Sequence, residues 1–214
     1  MLWVAFLLTV VSGYATLKLI GLTQNRGRLK FLGLTIAASI FFVMELSVFL
    51  KLVVVNPAFV TASNFIVEWG QVLCLAFILS SLAIFIRESK PVFAQFPMLY
   101  TGLPLLIVIS YFLVKDTYAL KKWLLMIYQG GAITVAIFMY AIYTYRKSEY
   151  TLVLLGTCFF LLSYLLFWYV PGIKENYGWI WRLTIVAGII TTIIGYEKTE
   201  LELDANVPVN ESSI

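Results

Sequence analysis

The chain has 214 residues, of which 62% are hydrophobic and 12% charged, with a mean hydropathy of +0.94. A soluble domain is about 45–50% apolar and about 25% charged, and a fold this small leaves most residues in contact with its solvent. The composition therefore excludes a water-soluble enzyme and a soluble nucleic-acid binder, and makes lipid the solvent. The net charge of +4 sits in short loops between apolar runs, where it sets topology.

A bilayer crossing takes about 20 mostly apolar residues. Seven runs meet that need, at 2–22, 31–50, 65–86, 98–114, 123–145, 151–169 and 179–196. They are too long for barrel strands and lack a period of two. The expected fold is all-α: a polytopic seven-transmembrane-helix bundle over residues 1–196, filling one domain.

In the first run no positive charge precedes the apolar stretch, and the first one is Lys18. That favours a first helix with its N-terminus outside over a cleaved signal. The turn Asn25-Arg26-Gly27-Arg28 follows. The second run contains Glu45, inside Phe42-Val43-Met44-Glu45-Leu46, and Lys51, six residues on, falls on another helix face. Asn56-Pro57 and Ser63-Asn64 bracket the next loop, and the third run holds Glu68 and Gln71 at i,i+3 spacing. Pro104 lies inside the fourth run and should bend it. The fifth carries Gln129, followed by Gly130-Gly131, and the seventh begins Trp179-Ile180-Trp181-Arg182. Gly33 and Ala37, Ala5 and Thr9, and Gly188 and Thr192 lie four apart, a spacing that permits close helix contact. Residues 197–214 turn polar and acidic and are expected to form a disordered cytoplasmic tail.

With the N-terminus outside, the cytoplasmic loops hold nine basic residues and the outer ones six, which places the C-terminus inside a cell membrane. All six tryptophans then fall at outer helix ends. Tyr100, Tyr143, Tyr145, Tyr150 and Tyr196 fall at inner ends, as interfacial belts.

Charged and amide side chains inside lipid are expensive and normally face the bundle with a partner. Glu45, Glu68, Gln71, Gln129 and Arg182 all belong to the outer half and form the expected ligand-binding set, a polar pocket for a small solute or lipid. Two alternatives stand beside it: Glu45 or Glu68 pairs with Arg182 to hold helices together, or Glu68 and Arg182 reach to the interface.

Other chemistries lack their residues. Histidine is absent, so haem ligation, His metal sites and His general bases are excluded. Cys74 and Cys158 lie in apolar runs and read as small buried residues, with no disulfide. The last helix has no Schiff-base lysine, and no Walker, HExxH or GxSxG motif occurs. The chain is therefore expected to have no enzymatic chemistry and no cofactor, metal or nucleic-acid partner.

The short outer N-terminus, the basic turn Asn25-Arg26-Gly27-Arg28 and Glu45 in Phe42-Val43-Met44-Glu45-Leu46 resemble the seven-helix sensory regions of bacterial and archaeal histidine kinases and related signalling proteins. That resemblance implies a membrane sensor or accessory protein, with a cytoplasmic or membrane protein partner reading the acidic tail. The size and topology are also similar to small sugar-type transporters, but the proline-glutamine loop signature of that group is missing. A transporter for a small solute or coupling ion using Glu45, and a structural subunit of a membrane complex, are the alternative functions.

Overall fold

Backbone groups that meet lipid must be paired within their own segment, so each apolar run forms a helix. The computed structural model describes residues 2–26, 29–54, 56–89, 98–114, 118–172 and 177–205. The helices are α1 (Leu2–Arg26), α2 (Leu29–Val53), α3 (Pro57–Ser89), α4 (Met98–Leu113), α5 (Tyr118–Arg146), α6 (Thr151–Tyr169) and α7 (Gly178–Ala205). A short 3-10 turn, Ser148–Tyr150, precedes α6. No strand occurs among the described residues.

All except α4 are long and apolar enough to cross a membrane. α4 is different. Its apolar stretch is Pro104–Leu113, and the whole 16-residue helix spans only about 24 Å, short of a hydrocarbon core of about 30 Å. The helix continues through Pro104.

Two expected boundaries move. α3 begins at Pro57 rather than 65, because Pro57 opens the helix and the Asn56 side chain caps it, accepting from Ala58 N at 2.9 Å. Ser63, expected in a loop, is buried and donates to Ser47 O on α2 at 3.1 Å. The expected tail does not start at 197. α7 runs on to Ala205, with Thr199 buried and Glu197 paired to Lys18 of α1 at 2.6 Å. The side chains of the basic turn 25–28 and the segment 206–214 lie outside the described residues.

Helices consecutive along the chain alternate in direction, so α1 and α7, and likewise α3 and α5, meet side by side running the same way. At one end of the α1–α2 pair Phe6 meets Phe49, with centroids 5.6 Å apart; at the other Thr23 and Thr35 share a 2.8 Å hydrogen bond. α1, α2, α3, α5, α6 and α7 close into a ring, α7 returning to α1, and α4 lies outside it against α3 and α5. Ile107 and Tyr111 anchor α4 on Val72, and Ser110 bonds the Tyr128 hydroxyl at 2.6 Å.

The patterning is that of a protein dissolved in lipid. Leu105, Leu106, Phe112, Phe138 and Leu17 point outward, whereas Ser12, Ser47, Ser81, Thr157 and Ser163 are buried between helices. Small residues let the backbones approach. A side chain on Gly156 of α6 would meet Gly188 O at 3.0 Å, and one on Gly188 of α7 would meet Gly156 O at 3.2 Å, so α6 and α7 touch through bare backbone there. Gly33 plays the same part for α2 against Ser81 and Phe77 of α3. Both cysteines are free; Cys74 is buried as expected, whereas Cys158 sits on the outer face of α6.

Candidate functional site

The six ring helices line a partly open cavity of about 390 Å³ between them, and no described residue of α4 contributes to its wall. The cavity is elongated. It extends from Glu45 to Leu34 on α2, from Gln71 to Leu82 on α3 and from Gln129 to Tyr140 on α5. Each stretch is twelve residues long, or about 16 Å from end to end along its helix. Its carboxylate and amide side chains gather at the end where α2 finishes and α7 begins, and the rest of the wall is mainly aliphatic and aromatic, with scattered hydroxyls.

Three of the five expected site residues, Glu45, Gln71 and Gln129, meet at this polar end. Helix spacing explains it, because each sits on the inward stripe of its helix with Met44, Leu75 and Ala132 as buried neighbours. Gln129 Oε1 accepts from Trp168 Nε1 at 2.7 Å, which holds the amide against α6. Gln71 has no hydrogen-bond partner among the described residues.

Glu45 is the outlier. Its side chain lines the cavity, the residue is only 7% exposed, and Oε2 is fully buried with no hydrogen-bond partner. The expected pairing with Arg182 is not formed. The guanidinium acts on Glu45 only through the electric field, and no ion pair joins them among the described residues. Arg182 does not line the cavity. It lies over the Trp181 ring at 5.1 Å, and its Nε is buried without a partner, so it does not simply reach to the interface.

Glu68 is not part of this site. It lies off the cavity wall, where Lys121 and the Tyr111 hydroxyl each donate to Oε1 at 2.8 Å. Lys121 also lies over the Tyr111 ring at 5.1 Å. The group ties α3, α4 and α5 together, a structural role. One i,i+3 step separates Glu68 from Gln71, and the two nonetheless serve different surfaces.

Three features of the cavity escape a reading of the sequence. Trp181, assigned to the interfacial belt, lines the wall. Ser163 closes the α6–α7 side by donating to Trp181 O at 3.0 Å. Tyr140 and Tyr196 form the far end, sharing a hydroxyl–hydroxyl hydrogen bond. Tyr196 is 6% exposed and Tyr140 2%, so both are core residues rather than interfacial anchors. Phe85 stacks on Tyr196 at 6.4 Å, Phe31 meets both edge-on, and Tyr143 donates to Phe85 O at 2.8 Å. Tyr145, 94% exposed, does face outward as a belt residue would.

Among the described residues no cluster of His, Cys, Asp or Glu could hold a metal ion. No protein-family model, curated protein or solved structure matches the chain.

Proposed function

We propose that this chain is a sensor-like or accessory protein of the cell membrane whose cavity binds a small solute or lipid. One observation carries the reading: a buried carboxylate, Glu45, lines an elongated cavity and has no partner. An unpaired polar group in a low-dielectric interior costs several kcal/mol or less depending on its surroundings, and a bound ligand removes that cost. A 390 Å³ space lies within the size range of small-molecule sites.

Two features favour binding over passage. A transported polar solute needs polar groups along both halves of its route. Here the far half is walled by residues such as Leu34, Leu82 and Ile193 and ends on the Tyr140–Tyr196 pair. A structural subunit would turn its polar residues outward to partner helices, whereas Glu45 faces the cavity.

In this reading the bundle has seven spans, α4 being the short fourth, with the N-terminus outside. Glu45 then lies in the outer half and the aromatic end in the cytoplasmic half. The outward apolar face of α4 and the alternating helix directions support that arrangement. A partner, in the membrane or the cytoplasm, would read the inner end. A reporter fused after residue 214 is expected to report cytoplasmic; an outer location overturns the orientation.

Native mass spectrometry of the protein in lipid nanodiscs tests the binding reading. A retained small molecule is expected on the wild-type chain and is lost in Ala132→Phe, which fills the cavity wall between Gln129 and Tyr140. Identical spectra for the two proteins would sink the reading.

A further inference from the structure

From the chemistry of the two cavity ends we infer that the occupant is a single-headed amphiphile, an elongated apolar chain carrying a primary or secondary ammonium group, with the head on Glu45 and the chain running toward Tyr140 and Tyr196. This rests on the ligand-binding reading above and adds the ligand's class.

The polar end selects the head. Glu45 offers an acceptor that is 7% exposed and has no protein donor on Oε2. A buried carboxylate is stabilised by an opposite charge that also donates hydrogen bonds, and charge-assisted bonds of this kind are about twice as strong as neutral ones. The cation whose field reaches Glu45, Arg182, is stacked on Trp181 and outside the cavity wall. It tempers the field at Glu45 without occupying the position a donor would take. Gln71, also without a partner, gives a second polar contact for an N–H that Glu45 does not use. A carboxylate or phosphate head would set like charge against Glu45.

The rest of the cavity selects the body. Below Glu45 the wall passes through residues such as Ala37, Ile78, Ala132 and Ile189 over about 16 Å. Of the hydroxyls on residues that line this stretch, Ser12 donates to Thr9 O and Thr157 to Leu154 O, while Thr192 Oγ1, which has no partner, is buried against Gly156 of α6 and closed to a ligand. At the far end the Tyr140 and Tyr196 hydroxyls are committed to each other. A second polar group on the ligand would therefore find no partner and would lose its hydration. Hence the ligand carries one polar end only.

The test uses matched probes, dodecylamine, dodecanol and dodecanoate, added to the protein in phosphatidylcholine nanodiscs, with the thermal unfolding midpoint as readout. Stabilisation by a ligand grows with its concentration over Kd. Dodecylamine is expected to raise the midpoint most and dodecanoate least. In Glu45→Gln the amine's advantage disappears, with affinity about tenfold or more weaker, while dodecanol binding persists. Ala132→Phe is expected to lose the response to all three. If the three probes act equally on the wild type, the head-group inference falls and the cavity reading stands. If dodecanoate acts most strongly, Arg182 rather than Glu45 holds the head, and the inference again falls. If no probe moves the wild-type midpoint beyond the change seen in Ala132→Phe, the inference and the binding reading fall together. The wild-type ranking decides the question even where a variant does not fold.

Discussion

The two ends of the cavity solve the same problem in opposite ways. Both place polar atoms in the interior of a lipid-dissolved bundle. At the Tyr140–Tyr196 end the tyrosine hydroxyls bond to one another or to backbone and aromatic rings fill the space around them, and the side chains left unpartnered nearby, Ser81 and Thr144, are neutral hydroxyls. At the Glu45 end the helices stand around open space, and a carboxylate oxygen is left without a partner. An unpaired carboxylate costs far more in a low-dielectric interior than an unpaired hydroxyl, so the larger unmet demand lies at the Glu45 end. On the proposed reading the Glu45 end is the one kept open for a molecule that the protein does not itself supply, and the tyrosine end holds the helices together.

The largest effect is expected from breaking the tyrosine end. Tyr140→Ala removes a ring that is 2% exposed and touches Phe85, Tyr143, Tyr150 and Tyr196. Truncating a large buried ring costs about 3–5 kcal/mol. Denaturant or thermal unfolding in nanodiscs should show it as a large drop in midpoint. The same measurement distinguishes the ends by sign. Glu45→Met, which replaces an unpartnered carboxylate with an apolar chain of similar size, is expected to stabilise the empty protein by about 1 kcal/mol. Arg182, half-buried at the start of α7, keeps its stacking on Trp181. Tyr196→Phe deletes one hydroxyl of a satisfied pair and should destabilise by about 0.6 kcal/mol, the average for an interhelical bond in a membrane. Loss of stability in Glu45→Met comparable to Tyr140→Ala would mean that both ends are structural.

How much of this was legible in the sequence depends on what decides each feature. Helix number and class follow from apolar run length, a local property, and they are readable. The extension of α3 back to Pro57 was also written locally, in Asn56-Pro57, although the polar residues Thr61, Ser63 and Asn64 read as a loop. Lys51 Nζ, which donates to Asn64 Oδ1 at 2.6 Å, shows why they are tolerated there. The inward stripe of Glu45, Gln71 and Gln129 could be picked out because amides and carboxylates are costly in lipid. What the sequence leaves open is pairing, since it depends on which helices adjoin. Glu68 and Glu45 look alike along the chain. Only the packing of α4 and the start of α5 against α3 gives Glu68 its Tyr111 and Lys121 and leaves Glu45 without either. Tyrosines are ambiguous for the same reason: a ring near a helix end suits a belt or a core, and Tyr145 and Tyr196 went opposite ways.

The smallest expected effect comes from the carboxylate that found partners. Glu68 is partly exposed, with Lys121 and Tyr111 both on Oε1. Exposed pairs contribute about 0–1 kcal/mol, so Glu68→Gln should shift the unfolding midpoint slightly. Its consequence is local. The Tyr111 hydroxyl, on a residue 2% exposed, loses a charged acceptor, and α4 has few other polar ties to the ring: Ser110 to Tyr128 is one. Hydrogen exchange in α4 should therefore rise while exchange in α1 and α7, on the far side of the ring, stays as in the wild type. Because no described residue of α4 contributes to the cavity wall, dodecylamine should stabilise Glu68→Gln as much as the unmodified chain. A loss of the amine response equal to that of Glu45→Gln would show that the two carboxylates act on one site, and the separation between a structural acid and a ligand-facing acid would fail.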